Sequence, residues 1–397
     1  MNRRQFLQSM AIAAGVPLAG SLNGVSWAAP LVSAADQSVA SPYRNLLILI
    51  ELKGANDGLN TVIPYADPEY ALLRPKLAIA RDQVLQLSER EAFHPSLQPL
   101  MALWDRKELA VVQGVGYPNP NLSHFRSIEI WDTASKSEEY LEAGWLARTF
   151  AVRPAPRNFA ADGVVVGSSD MGPLSGPGIR TIALADTAQF LRNAKLAQAN
   201  SDGRNAALKH ILSVEQEIVH AAGKLNANYT FKADFPRNAF GNQVKTAAQL
   251  VASKAGIATI RLTHAGFDTH ANQLPTHANL LRDLADGMAS LKAALVELNR
   301  WDSTLVMTYA EFGRRPKENQ SGGTDHGTAN VQLLTGGKVK GGLYGAAPQL
   351  TRLDGNGNLP FAVDFRSTYA TVIDKWWGGE SAGVLGGKFA ALDVLKA

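Results

Sequence analysis

The chain has 397 residues, of which 46% are hydrophobic and 19% are charged, and it contains no cysteine. This length suffices for one large domain or two ordinary ones, and the low charged fraction is typical of a packed globular chain. The lack of cysteine excludes a disulfide scaffold, a thiolate zinc site, an iron–sulfur cluster and a cysteine nucleophile. The formal net charge is only +4 and no stripe of lysine and arginine occurs, so we expect no nucleic-acid partner.

The first 28 residues have the order of an export signal. The adjacent Arg3 and Arg4 precede a mostly apolar stretch over 10–25, which small residues follow. The paired arginines resemble the twin-arginine signal that the export machinery of that name recognises. We expect residues 1–28 to be a cleaved leader and the protein to be periplasmic or secreted. The apolar stretch is too short and too rich in glycine for a membrane span, and no later one reaches 18 residues, so we expect no stable span after cleavage.

Apolar runs after the leader predict a series of strands. Residues 29–42 are small and polar and have the composition of a linker. The run Leu46–Ile50 is continuously apolar, which is typical of a strand in a parallel sheet that helices cover on both faces. Further strands are predicted at Leu109–Gln113, Gly163–Val166, Ile179–Leu184, Ile257–Leu262 and Ser303–Tyr309.

Helical patterns alternate with these strands. Apolar residues recur at helical spacing over 244–251, and Gly256 is placed to end that helix. A longer apolar stripe steps by three and four from Leu281 to Leu298. Near the end of the chain, Asp364 is placed to cap a further helix.

The alternation of strands and helices predicts an α/β fold with a mainly parallel sheet covered by helices on both faces. We expect residues 43–397 to form a single domain. The stretch from about 117 to 242 is less regular and is expected to hold a cap or an irregular insertion. Two glycine pairs at 336–337 and 341–342 predict a hairpin, and no Gly-Lys-Ser/Thr follows them, so they are not a phosphate-binding loop.

Acidic and imidazole side chains follow several of the predicted strands. In such sheets the ligand site lies beyond the carboxyl ends of the strands. A divalent cation removes the repulsion between carboxylates that crowd there, and oxygen and imidazole ligands suit zinc, manganese, magnesium or calcium. We therefore predict a divalent metal site at this edge, held by Asp57, Asp268, His270, Glu311, Asp325 and His326.

A second candidate region lies between the strand Leu109–Gln113 and a predicted helix. Ser123 is either the N-cap of that helix or a nucleophile at its N-terminus, where backbone N–H groups favour anions. Arg126, three residues later, is a candidate to hold a tetrahedral anion. The residue types leave both interpretations of Ser123 open.

Six short motifs occur along the chain in this order: Leu52–Thr61 (LKGANDGLNT), Leu73–Pro75 (LRP), Ser123–Phe125 (SHF), Phe267–His270 (FDTH), Glu311–Arg314 (EFGR) and Gly323–Gly327 (GTDHG). Together they resemble an exported family, known as domain of unknown function 1501, over nearly the whole mature chain. A twin-arginine leader is usual in that family, whose activity is not settled.

That family is in turn similar to the alkaline phosphatase and sulfatase superfamily, whose α/β proteins carry one or two metals at the strand ends. By position, the resemblance implies that Asp57, Asp268, His270 and His326 are metal ligands. Glu311 stands where the Asp of an Asp-His pair is expected, and the following Phe replaces its His, which argues against a complete second metal site. No Cys-x-Pro-x-Arg is present, which excludes a formylglycine sulfatase.

The resemblance thus implies an exported, metal-dependent hydrolase that acts on a small-molecule or polymeric phosphate or sulfate ester. In this interpretation Asp325 is a ligand or lies beside the ligands. Ser123 attacks the ester or orients a water molecule, and Arg126 stabilises the anion. The alternative belongs to another class of protein: a non-catalytic exported binding or assembly protein on a degenerate phosphatase-like fold.

Overall fold

The computed structural model describes residues 42–184 and 229–396, so the expected leader and nearly all of the expected linker lie outside the described residues. The described strands are β1 (Leu46–Lys53), β2 (Val62–Ile63), β3 (Leu85–Gln86), β4 (Ala92–Phe93), β5 (Leu109–Gly116), β6 (Ala161–Val166), β7 (Thr181–Leu184), β8 (Ile257–Ala265), β9 (Thr304–Tyr309), β10 (Arg314–Glu318), β11 (Thr324–His326), β12 (Asn330–Thr335), β13 (Gly342–Tyr344) and β14 (Val363–Asp364). The described α-helices are α1 (Gly58–Thr61), α2 (Pro68–Leu73), α3 (Met101–Asp105), α4 (His124–Thr133), α5 (Trp145–Val152), α6 (Ala239–Ala252), α7 (Gln273–Glu297), α8 (Phe365–Ala370) and α9 (Ala382–Leu385). Short 3-10 helices cover Pro42–Arg44, Pro95–Leu100, Gly172–Leu174 and Trp301–Ser303, and a π-helix covers Thr371–Trp376.

Nine strands form the central sheet, in the order β13-β5-β12-β9-β1-β8-β6-β7, with β14 paired to β5. Strand β1 lies between β9 and β8 and is parallel to both. The other pairings in this sheet are also parallel, except that β12 runs antiparallel to β5 and β9. Seven of the eight residues of β1 are buried, as its apolar run predicts. The prediction of a mainly parallel sheet is confirmed.

Helices cover both faces of this sheet, as predicted. Alternate residues of β1 point to opposite faces, because the side-chain period of a strand is two. Ile48 belongs to one core cluster together with the α7 stripe, including Leu284. Leu47 belongs to the other cluster, which includes Trp131 of α4 and Trp145 of α5. No helix in the described ranges is both long and apolar enough to cross a membrane.

Much of the described part of the segment 117–242 belongs to the layers of the central sheet. Strands β6 and β7 lie within it and extend the central sheet beyond β8. Helices α4 and α5 pack on one face of the same sheet. These elements are short and are separated by loops, which accounts for the irregular sequence pattern of this segment.

The connection between β12 and β13 is not the hairpin that its glycine pairs suggested. Strand β12 lies on one side of β5 and runs antiparallel to it, whereas β13 lies on the other side and runs parallel to it. The chain therefore crosses the end of β5 between Thr335 and Gly342. The hairpin prediction is wrong because glycines permit a turn without specifying which strands pair.

Candidate metal centre

Four segments meet at the carboxyl edge of the central strands. Asp268 and His270 lie in the loop after β8, and Glu311 lies two residues after β9. His326 ends β11. His124 is the first residue of α4, which follows the long loop after β5. Because β9, β1 and β8 are parallel neighbours, the loops that follow them open at one edge of the sheet.

Two glycines allow these loops to approach one another closely. Gly54 follows β1 with a φ of +111°, and a Cβ there would lie 2.4 Å from the backbone nitrogen of Asp268. Gly323 precedes β11, and a Cβ there would lie 2.3 Å from the carbonyl carbon of His270. Any larger residue at either position would push the loops apart, since real Cβ atoms do not approach backbone this closely.

The imidazole rings of His124 and His326 face each other through their Nε2 atoms, which are 3.0 Å apart. His124 Nδ1 lies 2.7 Å from Oε1 of Glu311, and His326 Nδ1 lies 2.8 Å from the carbonyl oxygen of Leu122. A carboxylate and a carbonyl only accept hydrogen bonds, so each Nδ1 carries the proton. In the neutral rings both Nε2 atoms therefore present lone pairs to each other.

A third imidazole and a carboxylate complete the cluster. His270 Nε2 lies 2.9 Å from His326 Nε2, and its Nδ1 lies 3.6 Å from Oδ1 of Asp325. The oxygens of Asp268 lie 3.1 Å from His270 Nε2, 3.3 Å from His326 Nε2 and 3.4 Å from His124 Nε2. Three imidazole Nε2 atoms thus lie close to the Asp268 carboxylate, and Nη1 of Arg314 also lies 3.4 Å from His270 Nε2. The lone pairs of His124 and His326 and the negative charge of Asp268 form a set that a further cation would satisfy.

The donor set fits a divalent transition metal. Ligand atoms of His124, Asp268 and His326 all lie within 4.8 Å of one another. At Zn–N distances of about 2.0–2.1 Å, the ligands of a tetrahedral site are about 3.3 Å apart, which matches these separations. Metal-bound histidines commonly donate their second ring N–H to a carboxylate or a carbonyl, as His124 and His326 do here.

Nearby charges keep the carboxylate of Asp268 ionised. Burial raises its pKa, but the hydrogen bond and charge of Arg314 outweigh burial and leave the pKa below the ordinary value. Nη2 of Arg314 lies 2.6 Å from Oδ1 of Asp268, and the guanidinium is fully buried. The hydrogen bond to Glu311 raises the pKa of His124, whereas burial lowers the pKa of His326. His326 is therefore the readier of the two to offer a lone pair.

Glu311 orients His124 and is not placed among the converging ligand atoms. Its Oε1 accepts hydrogen bonds from His124 Nδ1 and from the backbone N–H of Gly54. Its Oε2 is buried and has no hydrogen-bond partner among the described residues. The next residue, Phe312, packs its ring 4.9 Å from the His124 ring and 4.8 Å from the His326 ring. Phe312 thus forms an apolar wall at the position where the superfamily has a histidine ligand according to the resemblance.

Asp57 does not lie among the converging ligand atoms, contrary to the prediction that it is a ligand. It is fully buried, it caps α1, and both its oxygens accept hydrogen bonds from Arg74. Oδ2 also accepts a hydrogen bond from Gln273. Burial raises the pKa of Asp57, but Arg74 more than offsets this and leaves the pKa lowered. The carboxylate is already neutralised by a buried arginine, so it is a structural ion pair.

Ser123 and Arg126 occupy different environments. Ser123 is exposed and is the N-cap residue of α4, but its hydroxyl makes no capping hydrogen bond. Arg126 points away from the cluster and donates hydrogen bonds to the backbone carbonyls of Lys136, Ser137 and Glu139. The prediction that Arg126 holds the anion is therefore not supported by its position, because its donors face a backbone loop.

His124 is the residue of the cluster that the sequence analysis did not propose. It lies within the Ser123–Phe125 motif, beside the proposed nucleophile. The predicted ligands follow strands or lie in the glycine-rich loop 321–327, whereas His124 begins a helix after a long loop. Its position at the same end of the sheet as His270 and His326 was the available indication.

Several solved structures are similar to this chain at low identity, and no curated protein sequence matches it significantly. Phosphonate monoester hydrolase SpPMH from Silicibacter pomeroyi is 11% identical, with 87% of this chain and 75% of that chain covered and a TM-score of 0.43. Alkaline phosphatase from the Antarctic bacterium TAB5 is 12% identical, with 77% and 95% covered and a TM-score of 0.33. The C-terminal periplasmic domain of EcEptC from Escherichia coli, in complex with Zn, is 10% identical, with 78% and 77% covered and a TM-score of 0.36.

These likenesses are too distant to transfer an activity or a ligand to this chain. A family model gives a closer relationship. It is described as "Protein of unknown function (DUF1501)" and matches residues 96–378, which include α4, β8, β9, β11 and thus every segment of the cluster. Because this match spans well over half of the sequence, the chain belongs to the DUF1501 family.

Proposed function

We propose that this protein is a metal-dependent hydrolase of phosphate or sulfate esters. The observation that carries the proposal is the convergence of three imidazole Nε2 atoms and the Asp268 carboxylate at the carboxyl edge of the sheet. The Nδ1 atoms of His124 and His326 face oxygen acceptors, so the Nε2 lone pairs of these two rings are directed inward. This donor set supports a cation-binding role better than it supports a cluster held together only by hydrogen bonds among its own side chains.

His124, His270, His326 and Asp268 would hold the metal. Among the four divalent metals considered, three imidazoles favour zinc, since magnesium, calcium and manganese prefer oxygen ligands. When bound, such an ion supplies Lewis-acid polarisation of an ester oxygen and lowers the pKa of a nearby water or hydroxyl. Asp325 lies beside His270 and supports its orientation from outside the cluster.

The chain's own residues would bind and orient the ester. The first-turn backbone N–H groups of α4 have no side-chain cap, and this end of the helix carries His124. Such an N-terminus favours the oxygens of a phosphate or sulfate group. Ser123, whose hydroxyl makes no capping bond, would attack the ester or orient a water molecule. Glu311 would hold the proton on His124 Nδ1 so that the ring keeps one tautomer.

We further propose that the protein is exported by the twin-arginine route and acts in the periplasm or outside the cell. The paired Arg3 and Arg4 and the order of the leader support this location. In this proposal cleavage near residue 28 releases a chain whose residues 43–397 form a single domain.

One observation favours the second candidate, a non-catalytic binding or assembly protein. Arg126 donates to backbone carbonyls, so the anion holder that the hydrolase hypothesis expected does not face the cluster. We would expect this position of Arg126 in a protein that still binds the metal but no longer turns over a substrate.

Assays on the purified exported protein distinguish the two candidates. The substrates are p-nitrophenyl phosphate, bis-p-nitrophenyl phosphate and p-nitrophenyl sulfate, tested on zinc-loaded and chelator-treated protein. The hydrolase proposal expects turnover of at least one ester, lost on chelation and in Asp268→Asn. Asp393→Asn, which alters an exposed carboxylate far along the chain, serves as the control and keeps full activity. A zinc-loaded protein inactive on a broad ester panel supports the binding protein instead.

A further inference from the structure

Gln273 is a fully buried amide at the start of α7, between two loops that carry proposed ligands. Its Oε1 lies 3.1 Å from the hydroxyl of Thr269 and 2.7 Å from the hydroxyl of Thr324. Its Nε2 lies 2.5 Å from Oδ2 of Asp57. The amide thus contacts three different segments of the chain.

The direction of these hydrogen bonds is fixed by chemistry. An ionised carboxylate only accepts, so the Gln273 amide nitrogen must face Asp57. Its oxygen must then face the two threonines, whose hydroxyls donate to it. Each of these groups therefore acts only as a donor or only as an acceptor toward its partner. Rotating the Gln273 amide by 180° would place its oxygen against the Asp57 carboxylate, so only one orientation satisfies all of the hydrogen bonds.

Both threonines are close to proposed ligands in the sequence. Thr269 lies between Asp268 and His270, and Thr324 lies two residues before His326. The backbone N–H of Thr324 also donates to the carbonyl of Thr269, which joins the two loops directly. Fixing the two hydroxyls therefore fixes the separation of the ligand-bearing loops.

The other end of the set is anchored in the protein interior. Arg74 is fully buried and donates to both oxygens of Asp57, as well as to the carbonyls of Arg315 and Pro316 on β10. A buried guanidinium held by several acceptors has no room to rotate. Gln273 therefore connects the two loops to a rigid, buried part of the protein.

We propose that Gln273 is a positioning residue that sets the separation of the loops bearing Asp268, His270 and His326, and so sets the affinity of the site for its metal. The inference rests on the proposed metal site and extends it to a residue that touches neither metal nor substrate. It also gives the buried Asp57–Arg74 pair a role, which is to hold the Gln273 amide in one orientation. Losing a partner that is hydrogen-bonded directly to a metal ligand typically weakens metal binding about 10-fold to 100-fold, and Gln273 acts one step further out, so we expect the lower end of this range.

The test measures Co²⁺ and Zn²⁺ affinity of the mature exported chain, by competition with a chromophoric chelator and by the visible absorption of bound Co²⁺. Gln273→Leu removes the amide, and Thr324→Val removes one hydroxyl at nearly constant volume. Thr324→Ser retains that hydroxyl and is the rescue variant. Thr335→Val is the matched control, because Thr335 is equally buried and donates one hydrogen bond to the Glu108 carbonyl.

We expect Gln273→Leu and Thr324→Val to bind either metal about 10-fold more weakly with an altered Co²⁺ spectrum, and Thr324→Ser and Thr335→Val to match the wild type. Thermal unfolding of the metal-free forms separates positioning from stability, since Thr324→Val and Thr335→Val lose similar hydrogen bonds. Wild-type affinity in Thr324→Val, or an equal loss in Thr335→Val, overturns the inference even though the wild type binds metal. A wild-type chain that binds neither ion overturns the metal site itself.

Discussion

His124 and His326 face each other through Nε2 atoms 3.0 Å apart, while an oxygen acceptor holds each Nδ1. Two neutral imidazoles in these tautomers repel each other unless a cation or a proton lies between them. The carboxylate of Asp268 is within 3.4 Å of both Nε2 atoms and favours a positive charge at that point. In the proposed function a metal ion would occupy this point and satisfy all of these groups.

Replacing His124 tests whether this residue is a ligand. His124→Ala removes one donor nitrogen and leaves Glu311 buried without its imidazole partner. We expect Zn²⁺ affinity to fall by about 100-fold or more, because a proposed ligand and its hydrogen-bonded carboxylate are both disrupted. Isothermal titration of the metal-free protein measures this. His264→Gln, at a buried histidine bonded to the Leu280 carbonyl, is the control, and equal affinities in the two variants would contradict the assignment.

Asp57 is expected to affect stability strongly, because it is one partner of a fully buried ion pair. Asp57→Ala leaves the fully buried Arg74 guanidinium without a counter-charge. Removing one partner of a buried ion pair costs about 3–5 kcal/mol, whereas an exposed pair contributes about 0–1 kcal/mol. Urea unfolding of the metal-free protein should show this difference against Asp393→Ala, whose partner Lys340 is exposed. Similar unfolding midpoints for the two variants would mean that Arg74 finds another partner.

Two buried histidines predict a loss of stability in mild acid. Burial lowers the pKa of His277 to about 3 and that of His94 to about 4. The unfolded chain takes up these protons near pH 6.5 and the folded chain does not, so stability falls as the pH drops from about 6.5 towards 4. Each imidazole contributes a loss of about 2 kcal/mol by about pH 5.

His277→Gln checks this assignment, because glutamine retains an N–H donor for Asn56 and does not titrate. Urea unfolding is measured in the presence of a chelator at several pH values. Between pH 6.5 and 4, the free energy of unfolding should fall less steeply with decreasing pH in the variant, and the difference in slope should correspond to at most one proton. Parallel curves for the wild type and the variant would show that His277 is accessible to protons in the folded state.

Gly323 is expected to control the approach of two ligand-bearing loops. A methyl group in Gly323→Ala would lie 2.3 Å from the carbonyl carbon of His270, so the loops must separate. We expect metal affinity to fall about 10-fold. Gly355→Ala is the matched control, since nothing lies within 4 Å of a Cβ there. Unchanged Zn²⁺ affinity in Gly323→Ala would show that loop separation does not limit binding.

Ser123→Ala separates the two interpretations of the α4 N-terminus. The hydroxyl makes no capping hydrogen bond, so its loss should change the free energy of unfolding by less than about 0.5 kcal/mol. If Ser123 is the nucleophile, turnover of an active ester falls by several orders of magnitude while Zn²⁺ affinity is unchanged. Full activity in the variant would leave only a water-based mechanism. Ser175→Ala, at another exposed serine, is the control.

The parts of the fold set by periodic burial were predictable from the sequence. The continuously apolar run of β1 is buried as expected, and the stripe of α7, which has helical spacing, is buried from Leu281 to Leu295. Asp364 caps α8 as its position indicated, accepting a hydrogen bond from the backbone N–H of Arg366. The pairing of β12 and β13 was not predictable, because it depends on which strand each one meets.

The candidate site was predictable in part. His326 was predicted from the glycine-rich loop 321–327, and it lies at the end of β11 in the cluster. Asp268 and His270 lie where the strand-end rule places them. Asp57 follows the same rule but pairs with Arg74, seventeen residues later, and no local pattern reveals that contact. Arg126 was misplaced for a similar reason, since the carbonyls it binds lie in a loop whose path depends on tertiary packing. His124 was missed because its position depends on the course of the loop before α4.

The most direct test of the central claim is zinc stoichiometry combined with X-ray absorption on the purified protein. The account predicts one tightly held ion per chain, with three nitrogen ligands at about 2.0–2.1 Å and one carboxylate oxygen. A chain that holds no ion when saturated with zinc, and whose His124 and His326 rings share a proton in nitrogen NMR spectra, would contradict it.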